Sequence, residues 1–155
     1  MSSPTSISAA ISGSHTVFLV TNYWETMSKA TEVAQGKAVT DAAVSAGVSH
    51  LIFSSLLNVT ETSKGRLTHV PHFDSKAEVE AYIRASGVGC TFVLPGYFMS
   101  NFGVSVYKGE DGTLGLALPV SEGAKFPLLD AAEDTGESPS DPGKVDFGGK
   151  ERGSG

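Results

Sequence analysis

Between residues 16 and 94, runs of apolar residues alternate with stretches of helical periodicity. Thr16-Val17-Phe18-Leu19-Val20-Thr21, His50-Leu51-Ile52-Phe53-Ser54 and Thr91-Phe92-Val93-Leu94 are short, continuous and apolar. Continuous runs predict strands covered on both faces, as in a parallel sheet; a strand with one wet face would alternate. Between the first two runs, Val33, Ala34, Lys37, Ala38, Asp41 and Ala42 recur at spacings of three and four. They predict a helix over residues 25–46, stopped by Gly47. Ala77, Val79, Ala81, Tyr82 and Ile83 predict a second helix over 74–85, with Gly87 as its stop. Ser75-Lys76-Ala77-Glu78 fits a capping box there. The alternative start has Pro71 at the first helical position, which sets His72 and Lys76 one turn apart on one face.

The order strand, helix, strand implies right-handed parallel crossovers. Ligands of such sheets bind beyond the C-terminal strand ends. Three places stand there: Thr21-Asn22-Tyr23-Trp24, Ser54-Ser55, and Pro95-Gly96-Tyr97. Asp111-Gly112 reads as a turn joining short segments. Residues 131–155 are rich in Gly, Ser, Pro, Asp and Glu. They bury too little apolar surface to offset ordering, and disorder is expected.

The 155 residues suffice for one domain with a core, and 40% hydrophobic content fits a soluble globular chain. A net charge of −6, with no local cluster of lysine or arginine, argues against direct nucleic-acid contact. The single cysteine, Cys90, has no internal partner, which suits a reducing compartment. Residues 1–14 lack a basic and apolar leader pattern, and no run is long enough to span a bilayer. Cytoplasm or nucleus is the expected location, with no membrane partner. His15, His50 and His69 share no metal-ligand spacing with one another or with Cys90, so no metal site is expected.

Several segments in the right order resemble one family. They include His15-Thr16-Val17-Phe18-Leu19-Val20-Thr21-Asn22-Tyr23-Trp24-Glu25, Glu32-Val33-Ala34-Gln35-Gly36-Lys37, and Ala46-Gly47-Val48-Ser49-His50-Leu51-Ile52-Phe53-Ser54-Ser55-Leu56. Val70-Pro71-His72-Phe73-Asp74-Ser75-Lys76-Ala77-Glu78-Val79-Glu80, Leu94-Pro95-Gly96-Tyr97-Phe98-Met99-Ser100-Asn101 and Phe126-Pro127-Leu128-Leu129-Asp130 follow. Together they resemble the NmrA-like family of atypical short-chain dehydrogenases over about residues 7–136.

The resemblance implies an α/β, partial Rossmann-type three-layer fold with a mostly parallel sheet. It aligns residue 1 just before the family's fourth strand, leaving the opening β-α-β unit and its glycine-rich turn without a counterpart. The implied division is an N-terminal remnant (1–14), a partial NAD(P)-binding domain (15–130) and a tail (131–155). The implied cofactor is NADP or NAD, bound weakly without that turn. The implied contacts are Thr21, Asn22, Tyr23, Lys76, Tyr97, Phe98 and Asn101, with Lys76 placed to donate to the nicotinamide ribose. His72 stands where the superfamily's Tyr-x-x-x-Lys motif has tyrosine, so no catalytic residue is assigned. Ser54 and Ser55 read as strand-end hydrogen-bonders.

A redox-sensing regulator acting through protein partners such as transcription regulators is the function implied. An oxidoreductase of small carbonyls or quinones and a fragment without independent function are the alternatives. The Val17 to Val20 edge, open in this reading, is expected to pair with a second copy or a partner.

Overall fold

The computed structural model describes residues 3–118, 120–121 and 123–135. Two compact units divide after Pro95. In the first, α1 (Pro4–Ile11), β1 (Thr16–Leu19), α2 (Lys29–Ser45), β2 (His50–Ser54), α3 (Val59–Thr62), α4 (Pro71–Ala85) and β3 (Gly89–Val93) follow one another. The strands form one sheet in the order β1-β2-β3, both pairs parallel. Phe18 stands beside Ile52, and Ile52 beside Thr91. Parallel neighbours require crossovers, and the helical periodicities of residues 25–46 and 71–85 supply them.

Leu51, Phe53, Val79, Ile83 and Ala43 are fully buried and, with Leu19, Val33, Val39 and Val48, form the core between the sheet and its helices. Ile7 and Ile11 of α1 join it. Helix α1 is started by Ser3, whose hydroxyl accepts from the Ser6 amide at 3.2 Å. The sequence reading drew no helix there; the only apolar signal is a pair of isoleucines one turn apart.

The other sheet face departs from expectation. Phe18 is 54% and Val20 53% exposed, and Ile52 is half-buried. The continuous apolar run of β1 is therefore covered on one face only.

Strand β3 runs Gly89–Val93 where Thr91–Leu94 was expected, and three further boundaries moved, each for a visible reason. Strand β1 ends at Leu19, short of Thr21, because the Thr21 carbonyl accepts from Lys76 Nζ at 2.7 Å in place of a ladder partner. Helix α2 begins at Lys29, where the Ser28 hydroxyl accepts from the Thr31 amide; residues 23–25 form a separate turn. Its buried face is Glu32, Val33, Gly36, Val39, Thr40 and Ala43, about one position away from the face read in the sequence. Helix α4 starts at Pro71, the alternative start. Ser75 is consequently inside the helix and fully buried, and the proposed capping box is not formed. Gly47 (φ +69°) and Gly87 (φ +81°) follow the helix ends in the left-handed conformation expected of them.

The second unit contains β4 (Tyr97–Phe98) paired in parallel with β7 (Leu128–Leu129). Helix α5 (Phe102–Ser105) leads into the antiparallel hairpin of β5 (Val106–Lys108) and β6 (Leu114–Leu116). Asp111-Gly112 is the hairpin's turn, with Gly112 at φ +83°. A literal G-x-x-G-x-x-G string, Gly109-Glu110-Asp111-Gly112-Thr113-Leu114-Gly115, therefore lies on strand–turn–strand. No helix follows it, so it lacks the oriented N–H groups that make such a string a phosphate cradle. Residues 131–135 form turns; the remainder of the expected tail, 136–155, lies outside the described residues.

Candidate functional site

The C-terminal end of β1 carries the densest polar constellation among the described residues. Thr21 and Tyr23 are buried where the chain leaves the strand, while Asn22 and Trp24 are exposed. The Asn22 side-chain oxygen turns inward to accept from the Trp24 amide at 3.2 Å, capping the short turn at Tyr23–Glu25. Tyr23 donates its hydroxyl to the Met27 carbonyl at 3.0 Å. Its ring meets Trp24 edge-on at 5.3 Å between centroids.

Helix α4 brings His72 and Lys76 to the same end. The His72 ring lies 5.0 Å from Trp24, 5.8 Å from Tyr23 and 4.9 Å from Phe73. Lys76 Nζ makes three donations: to the Thr21 carbonyl at 2.7 Å, to Thr21 Oγ1 at 2.9 Å and to Glu32 Oε1 at 2.9 Å. An ammonium has three N–H bonds, so all are engaged by protein acceptors.

Glu32 is the residue the sequence reading missed. Its side chain is wholly buried, and that of Lys76 is 13% exposed. Thr21 Oγ1 donates to Glu32 Oε1 at 2.7 Å, and the Ser75 hydroxyl donates to Oε2. Burial on its own pushes the Glu32 carboxyl up; the Ser75, Thr21 and Lys76 hydrogen bonds and the Lys76 charge outweigh it and hold the group below its ordinary value. Glu32 lies one turn from Gly36 and two from Thr40 on the face that α2 buries.

Burial lowers the His72 imidazole below its ordinary value, and the Lys76 ammonium adds to this; Glu32 and Asp74 pull less strongly the other way. Asp74 has a separate role. It accepts from the Thr60 hydroxyl and amide, which hold its carboxyl low, and so anchors the start of α3.

The other expected residues belong to the second unit. The Tyr97 ring packs against Phe102 and Phe126, at 5.6 and 5.8 Å, and its hydroxyl is 3.2 Å from that of Ser105. Phe98 is 41% exposed, and the Asn101 carbonyl accepts from the Ser105 hydroxyl. Ser55 is fully buried, donating its amide to the Val93 carbonyl at 2.8 Å and its hydroxyl to Leu56. No group of histidine, cysteine or acidic side chains among the described residues is arranged to hold a metal ion.

The exposed Asn22 amide and the His72 imidazole at the β1 end are of the types that hydrogen-bond a polyol such as a ribose. Among the described residues no glycine turn at a helix N-terminus offers a pyrophosphate site.

Comparison with known proteins identifies the family. The NmrA-like family model matches residues 1–139. The NmrA-like family domain-containing oxidoreductase ptmS of Penicillium ochrochloron is 32% identical over 146 residues, covering 83% of this chain and 43% of that protein. The nitrogen metabolite repression protein nmrA of Emericella nidulans is 34% identical over 131 residues, covering 80% and 36%. Crystal structures of NmrA, a negative transcriptional regulator, in complex with NAD and with NADP superpose with a TM-score of 0.74 at 30% identity, covering 86% of this chain and 41% of theirs. The chain thus spans less than half the length of the relatives it matches.

Proposed function

Since this chain belongs to the NmrA-like family, we propose that it is a regulatory protein that binds NAD or NADP at the β1 end and acts through protein partners without turning the cofactor over. One observation carries the reading. His72 and Lys76 stand one helical turn apart beside Thr21 and Tyr23, and the position of the superfamily's acidic phenol is filled by an imidazole. An imidazole in place of the phenol, beside an ammonium already engaged by internal acceptors, favours a binding surface over proton transfer. The nearby aromatic side chains of Tyr23 and Trp24 suit a planar nicotinamide. Tyr97, Phe98 and Asn101 are proposed as further contacts.

The relative named for nitrogen metabolite repression and the NmrA structures described as a negative transcriptional regulator support transcription regulators as the partner class. Cytoplasm or nucleus is the proposed location; no helix among the described residues is long and apolar enough to cross a membrane. Oxidoreductase activity on a small carbonyl or quinone is the second reading, favoured by the relative named as an oxidoreductase. Calorimetric titration with NADP⁺ and NAD⁺ is expected to give saturable binding. NADPH absorbance is expected to stay constant over a quinone panel. No heat of binding removes the cofactor reading, and quinone-dependent loss of absorbance selects the enzyme.

The single ladder of β1 leaves that strand at the end of its sheet, which supports self-association at that edge, with the exposed Phe18 and Val20 on the adjoining face. Sedimentation is expected to show concentration-dependent dimers that Val20→Lys disperses to monomer; a wild-type chain that is monomeric at every concentration counts against it.

A further inference from the structure

The cofactor contacts considered so far do not account for Glu32. A carboxylate in the first turn of α2 gains from the helix dipole, but that explains neither its complete burial nor its partners. Every donor it meets comes from another element: Thr21 at the end of β1, and Ser75 and Lys76 on α4. Both carboxylate oxygens are occupied, and among the described residues no buried side-chain polar atom lacks a partner. Lysine is a flexible, strongly hydrated point charge with about 2 kcal/mol of rotamer entropy. Here three acceptors in fixed positions hold its ammonium at the strand end, and the side chain as a whole is 13% exposed.

We propose that Glu32 is the positioning residue of this site: its buried carboxylate, steadied by Ser75 and Thr21, fixes where the Lys76 ammonium stands at the end of β1. A tie needed only for packing is replaceable by apolar side chains of similar volume. This one instead holds a charged group where α/β sheets bind ligands. What Lys76 meets there rests on the cofactor reading above; that Glu32 fixes it does not. Glu32 acts through Lys76 and touches no cofactor atom in this account. Lys76 engages a ribose hydroxyl by exchanging the Thr21 Oγ1 contact, because Thr21 Oγ1 keeps its own bond to Glu32.

The test uses full-length protein with ¹⁵N-labelled lysine. A lysine ammonium held by three acceptors exchanges slowly with water and gives an Nζ–H cross-peak. Wild type is expected to show one from Lys76, identified by its loss in Lys76→Arg. Glu32→Gln preserves shape while removing charge, and is expected to broaden that peak beyond detection. The same variant is expected to bind NADP⁺ about tenfold more weakly, the size of one charged hydrogen bond. A Lys76 peak unchanged in folded Glu32→Gln overturns the proposal. Should that variant fail to fold, Glu32→Asp, which withdraws the carboxylate by one methylene, is read in the same way. If wild type shows the peak but binds no NADP⁺, the cofactor reading fails and the Glu32 assignment stands.

Discussion

Replacing Lys76 with methionine is expected to remove about 3–5 kcal/mol of folding stability at pH 7, the usual cost of stripping one partner from a buried ion pair. Glu32 has no exposed surface through which to recover hydration, and among the described residues Lys76 supplies its only opposite charge within hydrogen-bond distance. Urea unfolding followed by circular dichroism measures the loss. Its pH dependence identifies the cause. The Glu32 carboxyl is held below its ordinary value, so its contribution to wild-type stability is complete above pH 4.5, its unperturbed value, and is lost as pH falls through the folded value. In Lys76→Met the two lowering influences of the lysine are gone while burial remains, so the carboxyl rises and protonates earlier. The gap between wild type and variant should then narrow on going from pH 7 to pH 4. A gap that is constant or widens locates the loss in packing of the lysine stem. Pairing the change with Glu32→Leu should recover much of it, because no buried charge is left unmatched.

Glu32 also marks the limit of what the sequence conveys. The three strand runs and the glycine stops at Gly47 and Gly87 were legible because their signals are local: apolar continuity over five residues, or one residue free to adopt positive φ. His72 and Lys76 could be paired by eye, being four residues apart. The acceptors of Lys76 could not, since Thr21 lies 55 and Glu32 44 residues away in the chain. A glutamate in a helix's first turn looks the same in sequence whether solvated or buried. Only the rotation of α2 about its axis distinguishes them, and that rotation is set by packing on α4. The same limit misled the reading of Ser75, whose local context fits a cap and whose actual partner is a carboxylate on another helix. The Gly109–Gly115 string was not recognised as a G-x-x-G-x-x-G motif from the sequence; its spacing matches one, but its flanks are two antiparallel strands.

Gly36 is where that rotation is set, and enlarging it is expected to produce the second large loss. A Cβ at residue 36 meets both methyl groups of Val79 at 2.5 Å, well inside contact distance. Val79 is completely buried, and a β-branched side chain has one favoured rotamer in a helix, so it cannot swing aside. Helices α2 and α4 approach this closely only because residue 36 has no side chain. Gly36→Ala sets an overpacking cost of about 1–3 kcal/mol against a gain of about 1 kcal/mol in helix propensity, for a modest net loss. Gly36→Leu adds bulk without further gain and is expected to cost about 3 kcal/mol or more. It should also weaken the Glu32–Lys76 pair, because pushing α2 off α4 separates the two side chains that tie them. The cause is isolated by Val79→Ala. In that background the obstructing methyls are gone, and Gly36→Ala should become neutral or stabilising in urea unfolding. If Gly36→Ala costs the same with either residue at position 79, the helix crossing is not what the glycine serves.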